Sequence, residues 1–295
     1  MTDSQNFKPG IIGAGAMGGA MAARLLDCGF SVQVHDIDAG RQRALVQQGA
    51  HGHDSPAALA LASDVIMIVV VDAGQIMQVL RGVHGLLSVL SSHHVVMFCS
   101  TIGPSDMIQA CKAVVATGAS AIDAPISGGP QRAREGVMSM MLAADPAQLA
   151  RLKLLLDRMA ARCFEISSQH GDASKAKLVN NLVAGINLAA AAEGLALARE
   201  LGMDERQMLA LMSASSGQSW IGDDRLRRAL DDDYEPRAQT HVLTKDLTLA
   251  TGLAREHGYP VPLGEQALAL FRAACQAGHR DEDDAALLKY RRNWR

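Results

Sequence analysis

Residues 11–18 read Ile-Ile-Gly13-Ala-Gly15-Ala16-Met17-Gly18, an apolar run entering a G-x-G-x-x-G turn. No other feature restricts the fold of this chain as tightly. The first glycine allows a tight strand-to-helix turn, and the second lets backbone approach a pyrophosphate. The third lets the following helix pack closely against the strand. The spacing predicts a helix over 17–28 whose free N–H groups and positive dipole end face the phosphates. A second strand over 31–35 ends at Asp36, 18 residues beyond Gly18. A carboxylate there accepts hydrogen bonds from ribose hydroxyls and repels a 2′-phosphate. The expectation is a βαβ dinucleotide site with NAD favoured over NADP. Arg41 and Arg43 follow closely and could clasp a 2′-phosphate if the loop turned inward; otherwise they are solvated residues opening the next helix.

Length and charge bound the rest. At 295 residues two domains are expected. A net charge of −3 with mixed signs gives no electrostatic case for nucleic acid or a membrane surface. The first residues lack the basic and apolar regions of a signal peptide, and no run reaches the ~20 uninterrupted apolar residues of a membrane span. The five cysteines (Cys28, Cys99, Cys111, Cys163, Cys275) show no C-x-x-C spacing, which implies reduced thiols in a cytoplasmic protein and no metal site. Cys99 is expected to be a buried structural thiol rather than a nucleophile.

The first half alternates apolar strands with helical stretches, the pattern of a parallel α/β sheet. Strands are expected over 65–71, 94–99, 119–123, 137–143 and 163–166. Beyond about residue 167 strand signals vanish and helices follow over 174–201, 204–213, 217–230, 239–257, 262–277 and 282–291. Breaks at Gly202, Gly217, Pro236, Pro260, Pro262 and Gly278 separate them. This gives an α/β fold class: a Rossmann dinucleotide-binding domain over 1–167, and an all-helical domain over 168–295 for substrate and oligomerisation, joined by a long interdomain helix. That helix is apolar around much of its circumference, so it is expected to be buried between domains or in a subunit contact. Its polar residues Asn180, Asn181, Asn187 and Glu193 argue against a membrane and require partners.

Two segments are placed to do chemistry. In Asp123-Ala-Pro-Ile-Ser127-Gly128-Gly129-Pro, two glycines opening a helix form an N–H cup suited to a carboxylate, with Ser127 adding a hydroxyl donor. An ordinary strand-to-helix turn uses the same residue types. In the second, Lys177 and Asn181 are four apart and share a helix face. A lysine among apolar neighbours is a plausible general acid/base once desolvation lowers its pKa; a snorkelling, solvated lysine is the plainer reading. Lys175 is read as solvated. The acidic run 281–284 is read as a solvated helix start, and the basic tail 289–295 as solvated or subunit-contacting.

With these motifs together, the chain resembles the β-hydroxyacid dehydrogenases, the family of 3-hydroxyisobutyrate dehydrogenase, along essentially its full length. The resemblance rests on the Gly13–Gly18 turn with Met17, on Asp123-Ala-Pro-Ile-Ser-Gly-Gly129, on residues 177–181 and on Lys245-Asp246-Leu247. It implies that Lys177 is the catalytic acid/base and that Ser127, Gly128, Gly129 and Asn181 hold the substrate carboxylate and hydroxyl. It also implies that Lys245 stands beside substrate and cofactor. The cofactor-binding set it implies is Gly13, Gly15, Ala16, Met17, Gly18, Asp36, Val70, Val71, Thr101 and Lys245. The stretches 69–75, 217–220, 233–236 and 278–284 are most similar to the L-threonate dehydrogenase branch. Two departures stand out: Ala173 replaces a family glycine, and Val71-Asp72 replaces a Leu-Pro pair. The expected activity is NAD(P)-dependent oxidation of a small hydroxy acid by a homodimer or homotetramer. Reduction of small semialdehyde acids, or non-catalytic dinucleotide sensing without need of the two lysines, are the alternatives.

Overall fold

The computed structural model describes residues 7–293. Two compact units divide the chain between Lys177 and Leu178.

The first unit is built on one sheet. Its strands are β1 (Pro9–Ile12), β2 (Gln33–His35), β3 (His51–Gly52), β4 (Val65–Ile68), β5 (Val95–Phe98), β6 (Ser120–Asp123), β7 (Ile126–Ser127), β8 (Met138–Ala143) and β9 (Ala160–Ser167). The first six run parallel in the order β3-β2-β1-β4-β5-β6. β8 is antiparallel to β6 and β7, and β9 pairs parallel with β8. Strands covered on both faces are apolar without alternation, and β4 and β5 obey this rule. Val65, Met67, Val95 and Met97 pack on one face with Met21 and Leu25 of the helix Ala16–Asp27. Ile66, Ile68, Val96 and Phe98 pack on the other with Leu59, Ile76 and Met107.

The strand order reverses between β1 and β4, so the crevice beyond their carboxyl ends is where an open α/β sheet binds ligands. The strand expected over 65–71 stops at Ile68 for a local reason. The Val70 N–H donates to the Ser100 hydroxyl at 3.0 Å and the Val71 N–H to Gln75 Oε1 at 2.9 Å, so neither joins the ladder. The two-residue strands β3 and β7 were not foreseen from the sequence; pieces so short carry no hydrophobic period.

The second unit is helical. The helix Asp172–Glu200 runs across the dividing point, and Glu205–Ser213, Trp220–Leu230, Thr240–Glu256, Pro262–Ala274 and Leu287–Arg292 follow. Asp204 and Ser219 cap two of them by accepting from Gln207 N and Gly222 N. Leu188, Ala192 and Leu195 of the long helix pack with Leu209, Leu226, Leu247, Phe271 and Leu287.

Within the single chain the long helix is buried on only part of its circumference. Val179, Val183 and Leu197 are 61%, 51% and 58% exposed, so one apolar stripe faces solvent in the single chain. Among the described residues this helix alone is long and apolar enough to cross a membrane, and half of its most apolar 18-residue stretch is buried inside the protein.

Candidate active site

At the glycine turn each glycine has a separate cause. Gly13 takes φ +97°, and a Cβ there would stand 2.3 Å from the Val69 carbonyl oxygen. A Cβ on Gly18 would stand 1.9 Å from the Gly13 carbonyl oxygen. Gly15 is different: the nearest heavy atom to its would-be Cβ is Arg41 Nη1 at 3.7 Å, so space remains above it. Gly15 is also the N-cap of Ala16–Asp27, a helix with no side-chain cap and no acid in its first turn. Its first N–H groups are left for an anion. Ala16 is exposed and Met17 half-buried against the core of the sheet.

Asp36 lies at the end of β2 and is tied to this turn. Its Oδ2 accepts the Ala14 N–H at 2.5 Å and its Oδ1 the Asp38 N–H at 2.7 Å. The Asp36 N–H in turn donates to Gln42 Oε1 at 3.0 Å. The carboxylate is therefore fixed by backbone donors and keeps lone pairs for further hydroxyls. The neighbouring loop carries Val70, half-buried, and Val71, 43% exposed. Asp72 caps the helix Ala73–Arg81 by accepting the Gln75 N–H at 2.8 Å, which accounts physically for an aspartate in the place of the family's proline. Thr101 is half-buried after β5, next to the buried Ser100.

Ser127 ends β7 opposite Ser139 of β8. Gly128 and Gly129 follow with φ +130° and +77°, a pair of conformations that strain any other residue. Among the described residues, chain neighbours aside, nothing lies within 4 Å of a Cβ built on Gly129. Asp123, at the end of β6 and fully buried, performs a task that sequence reasoning missed. Its Oδ2 accepts the N–H groups of Gly171 and Ser174 at 2.9 and 3.0 Å, and its Oδ1 accepts the Ser174 hydroxyl at 2.9 Å. Burial pushes this carboxyl upward, and the donors of Ser174 and Gly171 pull against it. The start of the long helix is thus bolted to the carboxyl end of β6 one turn before Lys177, which is 5% exposed. Lys175 pairs with Asp172 at 2.8 Å on the exposed side, as expected of a solvated lysine. Ala173, the departure from the family glycine, packs fully buried against Met141 and Ala143.

In the second unit Asn181 and Lys245 meet one buried carboxylate. Asn181 Nδ2 donates to Asp246 Oδ2 at 2.6 Å, and Lys245 Nζ stands 3.0 Å from Asp246 Oδ1, an ion pair off the hydrogen-bond line. Asp246 is 5% exposed and Asn181 7%. Both Asp123 and Asp246 sit inside motifs visible in the sequence; what the sequence lacked was any sign of which donors they face.

The turn fits a dinucleotide on its own geometry: open space above Gly15, an uncapped helix start and a fixed carboxylate at Asp36. The comparisons agree. The family model for the NAD binding domain of 6-phosphogluconate dehydrogenase matches residues 8–167, and that for the NAD-binding of NADP-dependent 3-hydroxyisobutyrate dehydrogenase matches 171–291. The chain is 33% identical over 290 residues to an L-threonate dehydrogenase of Escherichia coli, covering 98% of this chain and 96% of that one. It belongs to the 3-hydroxyisobutyrate dehydrogenase family. The crystal structure of a 3-hydroxyisobutyrate dehydrogenase from Salmonella typhimurium superposes with a TM-score of 0.90 at 34% identity, covering 97% of this chain and all of the other. Psf3 in complex with NADP+ and 2-OPP superposes with a TM-score of 0.89 at 28% identity, covering 96% and 99%. The protein is an NAD(P)-dependent hydroxyacid dehydrogenase with a Rossmann domain and a helical C-terminal region.

In this family member the acidic run 281–284 is not a solvated helix start, and the sequence expectation is corrected. Asp283 is fully buried and Asp284 2% exposed. Arg225 Nε meets Asp284 at 2.7 Å and Arg228 Nη2 meets Asp283 at 3.1 Å. Burial pushes the Asp284 carboxyl up to about 7 against the pull of Arg225. The basic tail is likewise pinned: Arg292 makes two hydrogen bonds to Glu205, Arg291 pairs with Glu193 at 2.9 Å, and Lys289 lies 3.6 Å from the centre of the Tyr234 ring. Residues 294 and 295 of that tail lie outside the described residues. Cys99 is a buried thiol pushed up to about 12 by burial, the state of an inert structural cysteine.

Proposed function

We propose that the protein oxidises a small β-hydroxy acid or sugar acid of the L-threonate, 3-hydroxyisobutyrate or glycerate kind, with NAD as acceptor and Lys177 as general acid/base. The observation that carries this reading is a lysine 5% exposed on the first anchored turns of a helix, with Asn181 one turn on and held by Asp246. Neutral Lys177 takes the proton of the substrate hydroxyl, and its ammonium returns it in the reverse reduction of a semialdehyde acid. The nicotinamide supplies the hydride chemistry when bound. Ser127 and the N–H groups of Gly128 and Gly129 hold the substrate carboxylate, Asn181 the hydroxyl, and Lys245 adds a positive charge beside substrate and cofactor. Residues 1–167 act as the dinucleotide domain and 168–295 as the substrate and oligomerisation domain. Gly13, Gly15, Ala16, Met17 and Gly18 cradle the dinucleotide, with Val70, Val71 and Thr101 along its nicotinamide half.

NAD is favoured because the Asp36 carboxylate, fixed on the turn, repels a 2′-phosphate. Five free thiols favour a reducing, cytoplasmic setting, and a homodimer or homotetramer is the assembly that light scattering would test. The functional test is a spectrophotometric screen of NAD and NADP against small hydroxy acids, four-carbon sugar acids included. We expect NAD-linked oxidation of at least one of them, lost in Lys177→Ala while NADH still binds. Substantial turnover by that variant would remove Lys177 from the chemistry. An Asp36→Ser variant that leaves the NADH-to-NADPH affinity ratio unchanged would remove the basis for preferring NAD.

A further inference from the structure

We propose that Arg41 is a clamp for the cofactor's pyrophosphate, and that it strengthens NADH and NADPH binding alike rather than selecting between them. The inference rests on the dinucleotide site at the Gly13–Gly18 turn. Gly15 is the glycine over which a pyrophosphate passes most closely. Arg41 Nη1 stands 3.7 Å from the point a Cβ on Gly15 would occupy, nearer than any other heavy atom among the described residues outside its chain neighbours and the helix's own backbone. A guanidinium at that place faces the same anion as the uncapped N-terminus of Ala16–Asp27.

The geometry that brings Arg41 there is built by its own helix. Asp38 caps Ala39–Val46, its Oδ1 accepting Gly40 N at 2.8 Å and Arg41 N at 3.2 Å. Its other oxygen stands 3.5 Å from Arg41 Nε, so one edge of the guanidinium faces Asp38 while Nη1 reaches the turn. The whole corner is locked: Asp36 bonds Ala14 of the turn and Asp38 of the cap, and Gln42 accepts the Asp36 N–H. The sequence left Arg41 and Arg43 with two fates, solvated or closed on a 2′-phosphate. The structure assigns Arg41 a third, over the pyrophosphate, and leaves discrimination at the 2′ position to Asp36. Two charges of opposite sign thus divide the work along the same loop.

The experiment is equilibrium titration of NADH and NADPH by fluorescence on the full chain, comparing wild type, Arg41→Ala and Arg43→Ala. Adenosine serves as a ligand without phosphate. Arg41→Ala is expected to weaken NADH and NADPH by the same factor, about tenfold, the size of one lost charge-assisted contact. Adenosine affinity stays as in wild type, and the salt dependence of NADH binding becomes shallower. Arg43→Ala leaves both cofactors unchanged. The Arg41 side chain is 59% exposed, so the variant's melting temperature should match wild type. Arg41→Lys, which keeps the charge without the fork, should fall between the two. A loss confined to NADPH would make Arg41 a 2′-phosphate ligand and overturn the proposal; so would unchanged affinity for both. A wild-type chain that binds neither dinucleotide would instead overturn the reading of the turn itself.

Discussion

At Gly15 a Cβ would meet nothing closer among the described residues, chain neighbours aside, than the Arg41 guanidinium, whereas at Gly18 it would lie 1.9 Å from the Gly13 carbonyl oxygen. Two glycines of one motif therefore meet different surroundings: a Cβ has no room at Gly18 and ordinary contact distance at Gly15. Alanine separates them experimentally. Gly18→Ala forces backbone to move and should destabilise the protein by about 1–3 kcal/mol or more, read as a lowered midpoint in urea. Gly15→Ala should keep the wild-type midpoint while weakening NADH roughly tenfold, because the methyl group displaces the pyrophosphate from its N–H donors. Equal midpoints for the two variants would show that the third glycine does not set helix packing here. The same logic of one atom in one place governs Lys177, whose spacing to Asn181 was plain in the sequence but whose burial was not.

Among the elements, the long helix depends most on partners distant in sequence. At its start Asp123 of the sheet accepts the N–H groups of Gly171 and Ser174 and the Ser174 hydroxyl. Asp123→Ala removes the acceptor for three donors at once and should cost about 2–4 kcal/mol. Ser174→Ala removes only the hydroxyl bond and should cost about 1 kcal/mol; urea unfolding of both compares them directly. If the two cost the same, the backbone bonds to Asp123 contribute little. One turn further along, Asp246 has the matching place for Asn181 and Lys245. Asp246→Asn keeps an acceptor for Asn181 and discharges the pair with Lys245. It is expected to raise KM for the hydroxy acid severalfold with a smaller effect on kcat, and steady-state kinetics on a substrate found by the screen will test it. The apolar faces of these helices were legible as periodic patterns. The carboxylates that hold them were not, because a buried acid writes no period into a sequence and its partners come from other elements.

For the molecule as a whole, the parallel sheet, the helical second half and the glycine turn were readable from the chain, since each repeats a local signal: apolar strands, 3.6-residue spacing, glycines at fixed offsets. What escaped was long-range charge pairing, and 281–284 is the clearest instance. Four consecutive acidic residues look solvated when taken alone, but Arg225 and Arg228 of Trp220–Leu230 draw two of them into the core of the second unit. Asp283 then accepts the N–H groups of Arg237, Ala238 and Ala285. Burial alone would raise its carboxyl, and the Arg228 charge with these backbone donors outweighs burial and lowers it. A carboxyl lowered in the fold stabilises the protein at pH values above its unfolded pKa, and that contribution disappears as the solution is acidified through the folded value. Asp283→Ala should therefore cost about 3–5 kcal/mol near neutral pH, since it removes the buried partner of Arg228, leaving it only the more distant Asp224, and strands the donors of two backbone segments. The gap to wild type should narrow once the pH falls below about 4 and the native carboxyl is itself protonated. Urea midpoints measured across that range decide the matter: a gap independent of pH would mean that Asp283 acts through packing and hydrogen bonds, and that its charge adds nothing to the second unit.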